Sequence, residues 1–162
     1  MKLKTLSRET KTETAAWMIA TWFGSGCSPK APGTVGSLCA LPLLIFALFG
    51  LKFFFCLIAV LFALGIWATD IVLKTQSKQD PGFVVIDEVV GQLLTFSLII
   101  AAPFSWYHVI IGFALFRFFD IIKLWPASYF DEHVHNAFGV VTDDVMAGIY
   151  GAILLYIITF FI

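Results

Sequence analysis

RFFDIIKLWPASYFDEHVHNAFGVVTDD, residues 117–144, separates two apolar runs, and its reading decides the fold. Arg117, Asp120 and Lys123 come three residues apart where the run 104–122 ends, so cation, acid and cation share one side of a helix. The stretch then leaves the apolar pattern through Asp131, Glu132, His133 and His135, and closes on Asp143 and Asp144 as a new run, 145–162, begins. Charges placed where apolar helices end mark a polar layer and a site on it.

The rest of the chain has the same character. Hydrophobic residues make up 60% of the 162 residues and charged ones 13%, with a mean hydropathy of +0.93. An ordinary soluble domain is roughly 45–50% apolar and about 25% charged, and one of this size could not bury so much apolar surface. The chain reads as a single membrane-embedded domain over 1–162, with residues 1–12 polar and frayed. A net charge of −1 gives no clustered basic face, which excludes nucleic acid as a partner. Cys27, Cys39 and Cys56 have no metal or disulfide spacing and read as buried thiols.

Working back to the start, 14–23 is apolar with two tryptophans but only about ten residues long. It is too short to cross and is expected as a retained interfacial helix, not a cleaved signal, with a soluble-facing helix packed on the rest of the protein equally open. FGSGCSPKAPGTVGSL, 23–38, reads as a glycine and proline loop whose amides, hydroxyls and Lys30 can cradle an anion, although a plain connection fits its composition as well. Apolar runs follow at 38–50, 53–73, 86–102, 104–122 and 145–162. The fold class is therefore all-α: a compact polytopic membrane helical bundle of about five membrane helices plus the N-terminal interfacial helix.

If each run crosses once, every cation except Lys52 lands on one side, which is cytoplasmic by the positive-inside rule. The acids land there too, without a topological reason to do so. Asp80, Asp87, Glu88, Asp120, Asp143 and Asp144 come from separate segments to one depth. Two like charges about 4 Å apart repel by roughly 4 kcal/mol at an effective dielectric near 20, so such a group calls for cations or protons. A hard divalent ion such as Mg²⁺ suits carboxylate oxygens. Taken singly, Asp143, Asp144 or Glu88 would also serve as a helix cap or a first-turn acid. His133 and His135 alternate in what reads as a short extended piece, with a hydrogen-bonding role or a general-acid role open to them. His108, beside Trp106 and Tyr107, reads as an anchor at the opposite interface.

Three blocks, FGSGCSPKAPGTVGSL, DPGFVVIDEVVG and FRFFDIIKLWPASYFDEHVHNAFGVVTDDVMAG, resemble in order and spacing the signature blocks of the phosphatidylglycerophosphatase A family. The resemblance implies a Mg²⁺-dependent phosphatase of the bacterial inner membrane, with its active site facing the cytoplasm. Its substrate would be the phospholipid phosphatidylglycerophosphate, converted to phosphatidylglycerol. By position, Asp80, Asp87, Glu88, Arg117, Asp120, Lys123, Asp131, Asp143 and Asp144 fall on the family's charged residues. Leu124 stands where the family has proline, and Asn136-Ala137 where it has a glycine pair.

The expected roles follow. Asp87, Glu88, Asp120, Asp143 and Asp144 hold the metal and carry catalysis. Lys30, Thr34, Arg117 and Lys123 bind the substrate phosphate, and Asp80, Asp131 and His135 support them. Attack by water and an aspartyl phosphoenzyme are both open, and the sequence leaves the oligomeric state unknown. The rival class is a small ion or proton transporter, against which stands the absence of an acid near the middle of any run.

Overall fold

The computed structural model describes residues 11–76, 81–100 and 105–161. Asp80 and the expected fraying of residues 1–10 lie outside the described residues. Seven α-helices form: α1 (Lys11–Ala20), α2 (Pro32–Ala40), α3 (Leu51–Gln76), α4 (Ile86–Thr95), α5 (Trp106–Ile122), α6 (Ala127–His133) and α7 (Ala137–Thr159). No strand occurs among the described residues.

Among the described residues, three helical stretches are long and apolar enough to cross a membrane: Pro32–Phe49, Leu51–Thr75 and Ala137–Thr159. The first joins α2 to a 3₁₀ segment, Leu41–Phe49. Helix therefore begins at Pro32, inside the stretch expected to be a loop. Proline is tolerated at the first helical position because its missing N–H would have no partner there. Of the other two expected crossings, α4 is ten residues long and α5 seventeen, about 15 and 25 Å against a core of roughly 30 Å. Helix was expected to run on towards Ala102 but stops at Thr95, after which the Phe96 and Ser97 amides bond to carbonyls three residues back.

Large apolar side chains stay exposed along the long helices, among them Phe53, Val60 and Trp67 on α3 and Ile153 and Ile157 on α7. Such faces fit acyl chains and would be a liability in water. The short helix α4 lies inside instead: Ile86, Val89, Val90, Leu93 and Gln92 are 0% exposed. Helices α2, α3, α5 and α7 pack around it. α1 seats Ala16 and Ala20 in the core and ties its end to α4 through the Val85 N–H donating to the Ala20 carbonyl at 2.8 Å.

Two further expectations fail. The three cysteines are exposed rather than buried, since a small thiol is equally at home on an apolar outer face. His108 is buried rather than an interface anchor: it is the third residue of a capping box, its Nδ1 accepting from the Ser105 N–H at 3.2 Å.

α4 and α7 run side by side in the same direction with no side chain between them. A Cβ on Gly148 would lie 2.5 Å from the Gly91 carbonyl oxygen, and one on Gly91 would lie 2.5 Å from that of Asp144. One turn on, Thr95 Oγ1 bonds the Gly91 carbonyl at 3.1 Å and reaches that of Gly148 at 3.5 Å. Gly148→Ala is expected to cost about 1–3 kcal/mol by forcing the helices apart, seen as a lower unfolding midpoint in detergent. Gly82→Ala, with nothing within 4 Å of the added carbon, is the control that should not move it.

Candidate active site

Asp87 precedes Gly91 by one turn on α4, and Asp144 precedes Gly148 by one turn on α7. The backbone contact of those glycines therefore sets the two acidic pairs, Asp87-Glu88 and Asp143-Asp144, side by side. Neither aspartate of the second pair caps a helix. Asn136 does, its Oδ1 accepting from the Gly139 N–H at 2.9 Å, so α7 begins earlier than its apolar run and Asp143 and Asp144 sit in its second turn.

The acids open into a cavity of about 350 Å³ lined by Asp87, Glu88, Asp120, Lys123, Asp131, His135, Asp143 and Asp144, with Gly82, Val84, Phe130, Val134 and Val140 completing the wall. Asp87, Glu88 and Asp144 each offer an oxygen, and these oxygens lie within 4.8 Å of one another. That donor set, hard and close, fits a divalent cation of the Mg²⁺ kind.

Two cations hold the surrounding acids. Arg117 Nη1 lies 2.6 Å from Asp120 Oδ2 and 3.4 Å from Ser37 Oγ on α2. Lys123, in left-handed conformation at the end of α5, places Nζ 2.5 Å from Asp131 and 2.7 Å from Asp143, bridging α6 and α7. Burial alone would lower the Lys123 pKa, but its bonds to Asp131 and Asp143 outweigh that and raise it, so it remains an ammonium. Burial raises the Asp87 carboxyl well above its usual value, with the Glu88 charge adding to it. Burial pushes Glu88 to about 8; its hydrogen bond with Asp87 and the Arg117 charge oppose the shift, and Asp144 and Asp120 reinforce it.

Lys30, Thr34 and Arg117 do not line the cavity. Lys30 is exposed, its carbonyl accepting from Ser28 Oγ at 2.9 Å, and Arg117 sits behind Asp120. His135 lies on the cavity wall in the non-helical link after α6, whereas His133 ends α6 and stacks on Tyr129 with centroids 4.8 Å apart. The expected extended piece is thus only residues 134–136. Gly33, read from sequence as backbone freedom in a loop, has a different role. It lies in α2 with the Glu88 carboxylate seated where its Cβ would be. Phe130, Val134 and Val140 on the wall carried no signal in the sequence, because apolar residues there look like any packing residue.

A family model described as Phosphatidylglycerophosphatase A matches residues 18–159, which include every residue lining the cavity. The chain belongs to the phosphatidylglycerophosphatase A family. It is a phosphatase. Among curated proteins it is 40% identical over 146 residues to the Phosphatidylglycerophosphatase A of Haemophilus influenzae, covering 88% of each chain. To that of Escherichia coli K12 it is 36% identical over 143 residues, covering 87% of this chain and 81% of the relative. A Bacteroides thetaiotaomicron protein named "Putative phosphatidylinositol-3-phosphatase" is 42% identical over 147 residues, covering 85% of this chain and 89% of that one. Solved structures give no significant match. Phosphatidylglycerophosphatase A relatives leave no support for the transporter reading.

The raised Glu88 pKa has a consequence for stability. The unfolded chain releases this proton near the ordinary value of 4.5, while the folded one keeps it to about 8. The native state then binds more protons between those values, and stability falls as pH rises through the window. In chelator, the unfolding midpoint of this family member is expected to drop from pH 4.5 to pH 8, and Glu88→Gln should shrink that drop without abolishing it, because the raised Asp87 carboxyl acts in the same direction.

Proposed function

We propose that this chain hydrolyses the terminal phosphomonoester of phosphatidylglycerophosphate, giving phosphatidylglycerol and inorganic phosphate, with Mg²⁺ as its cofactor. The observation that carries the reading is one cavity in which six carboxylates and a fixed ammonium converge, in a chain two of whose relatives are named Phosphatidylglycerophosphatase A. Lys123 lines the cavity, and along α3 Lys74 lies near the end opposite Lys52. That asymmetry supports a bacterial inner-membrane enzyme working from the cytoplasmic face.

Asp87, Glu88 and Asp144 would hold the ion, with Asp120 and Asp143 flanking it. When bound, Mg²⁺ supplies charge neutralisation at phosphoryl oxygens, the main demand of phosphoryl transfer. The chain's own residues do the rest. Lys123, locked by Asp131 and Asp143, presents its ammonium to the phosphate oxygens. Arg117 orients Asp120 from behind, and α2 closes the back wall through Gly33. Water attacks phosphorus, a carboxylate of the cluster takes its proton, and the phosphorus–oxygen bond to glycerol breaks. His135, on the wall, is placed to return a proton to the leaving oxygen. Phe130, Val134 and Val140 keep the surroundings apolar, which strengthens each of these charge contacts.

The Bacteroides relative's name favours a second reading of the lipid: the same chemistry on phosphatidylinositol 3-phosphate. Phosphate release by purified protein should be measured from both lipids, with Mg²⁺ and with chelator. Release from phosphatidylglycerophosphate that needs Mg²⁺ is expected. Faster turnover of the inositol lipid would favour the second reading, and full activity in chelator would remove the cofactor. Asp87→Asn and Asp143→Asn should each lose roughly 10²–10³-fold in kcat, the scale of removing one preorganised charge contact, while remaining extractable.

A further inference from the structure

Gln92 is 0% exposed on α4, and neither its Nε2 nor its Oε1 has a hydrogen-bond partner. An unpaired buried amide is costly, and leucine or methionine would fill the same space without that cost. Two further buried atoms are also unpartnered: Glu88 Oε2, an acceptor, and Arg117 Nε, a donor. Glu88 precedes Gln92 by four residues, so the two side chains lie one above the other on one face of α4. Arg117 approaches from α5. The ring of its neighbour Phe116 packs at Gly91, beside Gln92, while Arg117 Nη1 and Glu88 Oε1 both crowd the position of a Gly33 Cβ. An acceptor without a donor, an amide with one of each, and a donor without an acceptor form a complementary set.

We propose that Gln92 is a positioning residue for the acid cluster: by rotating its side chain from the conformation seen, in which neither bond is made, it donates from Nε2 to Glu88 Oε2 and accepts at Oε1 from Arg117 Nε. One amide then fixes both the Glu88 carboxylate and the guanidinium that grips Asp120. With Oε2 held, Glu88 has a single orientation left in which to meet a cation. This inference rests on the reading of the cluster as a divalent-cation site. It explains why a polar residue occupies the interior of a helix otherwise filled by valine and leucine.

The test uses the full chain in detergent and the variant Gln92→Met. Unfolding midpoints are followed in chelator and across a Mg²⁺ titration, Mn²⁺ binding is read by electron paramagnetic resonance, and kcat and KM for phosphate release are taken separately. The expected variant is at least as stable as wild type in chelator, needs about tenfold more Mg²⁺ for half-maximal stabilisation, and loses kcat with little change in KM. Combined with Glu88→Gln, it should add no further loss of Mn²⁺ binding. A wild-type cation response in Gln92→Met, or additive losses in the double variant, overturns the inference. Should that variant not be recovered folded, Gln92→Asn, whose amide is one methylene short of Glu88, is read the same way. A wild-type chain whose midpoint ignores both ions overturns the cation site and this role with it. A responsive wild type with an unaffected variant overturns this role alone.

Discussion

The backbone contact between Gly91 and Gly148 is the constraint on which the rest depends. A side chain on either would push α4 from α7, and the acids one turn away would separate with it. Close approach brings Asp87 and Glu88 against Asp144, an arrangement the folded chain resists electrostatically. Apolar burial of α4 on nearly all sides supplies the opposing force. Each valine or leucine buried there contributes about 1.5–3 kcal/mol, enough that the core holds charges together that would disperse in water.

The neutralisation is graded from the rim inward. Asp120 and Asp143 have their own cations, Arg117 and Lys123, placed on successive turns of one helix end. Asp87 and Glu88, buried and beside other acids, hold their protons above ordinary values. The ion pairs thus define the edges of the site and leave its centre electrostatically unsatisfied. That imbalance suits the proposed reaction, since a centre already paired would have no reason to recruit the cation proposed for it.

Much of this was legible in the chain. Few charged residues in an apolar sequence, falling at the ends of runs, gave the helical class and the convergence of Asp87, Glu88, Asp120, Asp143 and Asp144 on one cavity with Lys123. Helix limits were less visible. Apolar runs report which residues avoid water, and helices extend beyond them wherever a cap allows: Asn136 starts α7 early, and Pro32 starts α2 within a glycine-rich stretch. Conversely, α4 stops within its run because the chain turns after Thr95 to return as α5. Lys30 and Thr34 looked like phosphate ligands by composition, but reach to a cavity is a three-dimensional property. The same holds for Gly33, whose value is the room it leaves for Glu88, and for Cys27, Cys39 and Cys56, whose outward orientation no spacing rule encodes.

The seclusion of α4 has a further consequence. The span Pro32–Phe49 and α3 can tilt or shift when the bilayer is thicker or thinner than they are long, whereas α4 and α7, locked together through Gly91 and Gly148, move as one unit. Hydrophobic mismatch is therefore absorbed at the perimeter. Turnover is expected to vary little between vesicles of short and long acyl chains, even where the tilt of the outer helices changes with them.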